Sequence, residues 1–70
     1  MTYKFSYGDS VIIIREAPSE FNPGGYGEVC SMRTTNEGKN LYIVEFGDGS
    51  DLEVPEEYLV LDEEEFKSGS

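Results

Sequence analysis

The chain has 70 residues, with 15 Asp and Glu against 5 Lys and Arg and a formal net charge of −10. A chain this short forms one domain that buries only about 60% of the surface its unfolded form exposes, which leaves little room for a deep enzymatic cleft. A surplus of acid this large repels DNA, RNA and anionic lipid and attracts basic protein surfaces at long range, so neither nucleic acid nor membrane is expected as a partner.

The periodicity along the chain is that of strands. Val11-Ile12-Ile13-Ile14 is a short β-branched run entered through the turn pair Gly8-Asp9, and it predicts a first strand. Residues 16 to 27 hold Pro18, Pro23, Gly24, Gly25 and Gly27 and read as a long loop carrying Phe21 and Tyr26. Glu28 to Arg33 resumes an extended pattern that ends at the turn-forming stretch from Thr34 to Asn40. Next, Tyr42, Val44 and Phe46 alternate with Leu41, Ile43 and Glu45, which places one set in the core and the other toward solvent. Gly47-Asp48-Gly49 predicts a tight hairpin, and Ser50 to Val54 the returning strand, stopped by Pro55. Glu56-Glu57-Tyr58 fits a single 3₁₀ turn before a last strand, Leu59-Val60-Leu61. Residues 1–62 are thus expected as one barrel-like domain, and 63–70 as an acidic and polar flexible tail.

Cys30 is the single cysteine, so no internal disulfide forms. Its use points to a reducing compartment, with cytoplasm the expectation. It reads as a small core or half-core residue, because free Cys is among the most buried residue types. No apolar run approaches the roughly 20 residues of a membrane span, and the first five residues lack the basic region and apolar stretch of a signal peptide. Nine aromatic residues supply core surface that disordered acidic chains lack.

Catalysis is not expected: there is no His, Cys30 lies in a strand with no evident base, and the Ser residues fall in turns or the tail. Asp48-Gly49-Ser50-Asp51-Leu52-Glu53 spaces oxygens at near-alternate positions. It lacks the 12-residue span and terminal bidentate Glu of a calcium loop, so neither metal nor cofactor is expected.

Ten carboxylates lie between Glu45 and Glu65 with no Lys or Arg among them, while residues 1–44 carry five acids against four bases. If Tyr42, Val44, Phe46, Leu52 and Val54 face inward, Glu45, Asp51 and Glu53 face outward together across the hairpin. Like charges on neighbouring strands are a cost that folding does not require. Glu45, Asp48, Asp51, Glu53, Glu56 and Glu57 are therefore the candidate partner-binding carboxylates, with solubility as their alternative use. Phe21 and Tyr26 either cap the core or join the binding surface.

Gly8-Asp9-Ser10-Val11, the Gly-rich opening from Pro23 to Val29, Tyr42-Ile43-Val44-Glu45-Phe46 and Val54-Pro55-Glu56-Glu57-Tyr58-Leu59 resemble SH3-like barrels of several families over roughly residues 7 to 62. These phrases are similar to small stand-alone bacterial SH3-like proteins, including toxin-immunity proteins. That resemblance implies inhibition by occlusion of a basic site on a toxin or nuclease, by charge mimicry of nucleic acid, with the domain a monomer or weak dimer. Val44-Glu45-Phe46-Gly47-Asp48-Gly49 also resembles Tudor domains, which implies a cage for methylated Arg or Lys from Phe21, Tyr26, Tyr42 and Phe46. An assembly module of a larger complex is a third reading.

Overall fold

The computed structural model describes residues 2–62; the stretch 63–70, expected as a tail, lies outside the described residues. The fold is all-β. Strands β1 (Ser10–Ile13), β2 (Tyr26–Thr34), β3 (Asn40–Glu45), β4 (Asp51–Pro55) and β5 (Leu59–Leu61) form one sheet in the order β4-β3-β2-β1-β5, every pair antiparallel. The anticipated barrel does not close as a hydrogen-bonded ladder, because β4 and β5 remain its two edges. Among the described residues, no helix is long and apolar enough to cross a membrane.

Alternation decides which face is covered. Val11 and Ile13 of β1, Val29 of β2, Tyr42 and Val44 of β3, Val54 of β4 and Leu59 of β5 are buried together with Phe5 and Ala17. Phe46, Leu52, Phe21, Tyr58 and Met32 pack against that cluster. The expected inward set of β3 and β4 is therefore the observed one. The anticipated 3₁₀ turn occupies Glu56–Tyr58, and a second one, Ser19–Phe21, shortens the long loop before Asn22 turns through the left-handed region at φ 56°.

Strand β2 begins at Tyr26 rather than Glu28. Gly27, read as loop punctuation, is a strand residue that has no space for a side chain. A Cβ there would lie 2.2 Å from the Glu45 carbonyl oxygen and 2.9 Å from Val44 Cγ1. Glycine at this position lets β2 pass close over the end of β3.

A β-bulge at Cys30 controls the β2–β3 register. Near the turn, Thr34 pairs with Asn40, Arg33 with Leu41, Met32 with Tyr42 and Ser31 with Ile43; beyond the bulge, Val29 pairs with Val44 and Glu28 with Glu45. The extra residue lets Met32 and Val29 both face the core although they are three apart, which strict alternation forbids. Cys30 itself is half-buried.

Segment 2–5 is tied across the bottom of the sheet. Phe5 is buried with its ring edge-on to Tyr42 at 5.3 Å. The Tyr42 hydroxyl accepts hydrogen bonds from the Lys4 and Phe5 amides at 3.0 and 3.2 Å and donates one to Glu56. Glu56 also accepts from the Lys4 amide at 3.1 Å and from Asn40 Nδ2 at 3.0 Å. A buried hydroxyl is thereby satisfied on both its donor and acceptor sides.

Candidate functional site

On the outer face of the sheet Glu28, Glu45 and Asp51 stand side by side on β2, β3 and β4, each directly opposite the next, and all are exposed. Directly opposed side chains have Cβ atoms about 4.5–5.5 Å apart, so the three carboxylates form one row of like charge. None of them meets a Lys or Arg in an ion pair among the described residues. On the other side of Glu28 the row continues to Ser10 of β1.

Glu28 is the member that sequence reasoning missed. Counting back from the Thr34–Asn40 pair without a bulge sets Glu28 opposite Phe46; the residue inserted at Cys30 moves it opposite Glu45. The alternation of Glu28 with Val29 signals only that Glu28 faces outward, whereas its neighbour depends on the bulge.

The other candidate carboxylates do not join the row. Glu53 shares its face, opposite Ile43, but is neutralised by Arg33: Nε donates to one Glu53 oxygen at 2.8 Å and Nη2 to the other at 3.0 Å. That bidentate pair, led by the hydrogen bond itself, holds the Glu53 carboxyl below its ordinary range and raises the guanidinium. Of the three expected outward carboxylates, Glu53 is paired, and Glu45 and Asp51 have no ion-pair partner among the described residues.

Glu56 lies beyond Pro55, at the other end of β4 from Asp51, and is bound to Tyr42, Asn40 and the Lys4 amide. Burial works against its charge, but these hydrogen bonds and the nearby Lys4 ammonium outweigh it and hold the carboxyl below the usual range. These contacts tie it to the fold. Glu57 is exposed beside it, around a shallow depression that it shares with Lys4 and Lys39, so this end of the domain carries mixed charge. Asp48, at the β3–β4 hairpin, accepts from Ser50 Oγ at 2.6 Å and from the Ser50 amide at 3.0 Å, which lowers its carboxyl and fixes the turn.

The four aromatics of the supposed cage do not converge. Tyr42 is fully buried, and Phe21 packs on Tyr58 with ring centroids 5.6 Å apart against the core. Phe21 therefore serves the packing use of the two weighed for it. Tyr26 does not cap the core: it is 69% exposed, outward on β2 two residues from Glu28, and it shares a depression with the half-buried Phe46.

The arrangement offers fixed negative charge and one exposed aromatic surface. No known protein family matches this chain, and no curated protein or solved structure is significantly similar to it.

Proposed function

We propose that this domain is a non-catalytic, acidic protein-binding module that covers a basic site on a partner protein. The observation that carries the reading is the row Glu28–Glu45–Asp51, in which three carboxylates with no ion-pair partner among the described residues are held adjacent on neighbouring strands at a cost to folding. A merely solubilising surface gains nothing from adjacency, because interspersed charge serves solubility as well. A fixed row presents concentrated potential without the ordering entropy of a flexible acidic segment, and it speeds encounter with a basic surface by electrostatic steering.

A partner whose basic cleft ordinarily holds nucleic acid fits this charge best, since the carboxylates then stand where phosphates would. The mechanism is charge mimicry, as an immunity protein or another inhibitor of a nucleic-acid-acting protein would use it. The sheet order β4-β3-β2-β1-β5 with a 3₁₀ turn leading into β5 supports a partly open SH3-like barrel as the scaffold. The test is affinity capture from the native host followed by competition. A retained basic protein should be released by a short DNA duplex and should not be retained by the Glu28→Gln, Glu45→Gln, Asp51→Asn variant. Equal retention by that variant would refute the reading.

A further inference from the structure

Beside the carboxylate row lies a shallow depression of about 280 Å³, lined by Ser10, Tyr26, Gly27, Glu28, Glu45, Phe46, Gly47 and Asp62. Two aromatic residues and three carboxylates line it together with two glycines that add no side chain, and none of its lining residues is Lys or Arg. Packing does not account for Tyr26. Its neighbour across β1, Ile12, is outside the core cluster, and 69% of the Tyr26 surface is left to solvent at this rim. An exposed aromatic surface next to carboxylates that no described Lys or Arg pairs with is complementary to a cation that also has an apolar, flat body.

We propose that this depression seats a single arginine side chain of the basic partner, its guanidinium against the Tyr26 ring and within reach of Glu28, Glu45 and Asp62. Arginine fits better than lysine because its planar, weakly hydrated guanidinium both stacks on an aromatic face and pairs bidentately with carboxylates. A lysine ammonium is compact and strongly hydrated, and the open depression does not strip that water from it. This inference rests on the acidic-module reading and adds to it the one residue type around which the contact is centred.

The probe is N-acetyl-arginine amide, titrated into the full-length ¹⁵N-labelled protein, with N-acetyl-lysine amide alongside. Amide shifts at Tyr26, Gly27, Glu28 and Gly47 should move together and saturate with one affinity, and the lysine probe should bind more weakly. Tyr26→Ala should weaken the arginine probe by about two- to fivefold, the range of an exposed cation–π contact, with amides of Val11, Val44 and Val54 unmoved. Shifts of equal size at Glu16, Glu20 and Glu37, or an affinity that Tyr26→Ala leaves unchanged, would overturn the seat. If arginine fails to seat while the triple carboxylate variant still loses its partner, the seat is wrong and the acidic module stands. If arginine seats while that variant keeps its partner, the module reading is the one that fails.

Discussion

Glu45 is flanked by carboxylates on both sides, so removing its charge should make the domain more stable even as it weakens the proposed contact. In Glu45→Gln two directly opposed like-charge pairs, with Glu28 and with Asp51, disappear at once. Each such pair costs a few tenths to about 1 kcal/mol, so the variant should gain about 0.5–1.5 kcal/mol. In a domain this size that raises the melting temperature by roughly 2–10 °C. The charges lie well within the screening length of about 10 Å at 0.1 M salt, but beyond that of about 3 Å at 1 M, so the gain should vanish at high salt. Thermal unfolding followed by circular dichroism at both salt concentrations measures this, with Glu37→Gln in the β2–β3 turn as the comparison that should change little. A Glu45→Gln variant that is destabilised, or stabilised equally at both salt concentrations, would show that the row is not under electrostatic tension.

Three further outcomes test how the fold holds the row. Gly27→Ala should cost about 1–3 kcal/mol or more in urea unfolding, because the added methyl meets the Glu45 carbonyl and the backbone must part; a neutral result would mean β2 and β3 do not approach so closely. Val44→Ala, at a fully buried position, should cost roughly 1–5 kcal/mol by the same measurement, and near-zero loss would put it outside the core. Glu56 has a depressed folded-state pKa, so its contribution is full above the ordinary carboxylate pKa of 4.5 and is lost as pH falls through the lower folded value. Glu56→Gln should cost about 0.5–1.5 kcal/mol at pH 7, because the group is partly solvated and Gln keeps one acceptor oxygen, with the gap from the native chain narrowing toward pH 3. Parallel stability curves for the two proteins would contradict the charged role.

The sequence reveals the strands where side chains alternate cleanly. Tyr42 and Val44 in β3 and Leu52 and Val54 in β4 announce an inward face, and Pro55 followed by Glu56-Glu57-Tyr58 announces the 3₁₀ turn. What stays hidden depends on contacts between distant segments. Gly27 reads as loop because glycine in sequence cannot tell freedom from close approach, and only the position of the Glu45 carbonyl distinguishes them. Phe5 gives no periodic signal, since its burial comes from a single excursion held by the Tyr42 hydroxyl. The site was half legible: that Glu45 and Asp51 face outward together follows from alternation, but Glu28 joins them only through the bulge at Cys30, and Glu53 leaves them only because Arg33 reaches across β3.

Association kinetics with the captured basic partner test the central claim most directly. Rates would be compared for the native chain, the Glu28→Gln, Glu45→Gln, Asp51→Asn variant and a chain lacking residues 63–70, each at 0.05 and 0.3 M salt. The row should dominate: the triple variant should associate at least tenfold more slowly at low salt and lose most of its salt dependence, while the shortened chain should stay within about threefold of the native rate. A triple variant that associates at the native rate, with the shortened chain failing to bind, would place the contact in the C-terminal acids and contradict the account.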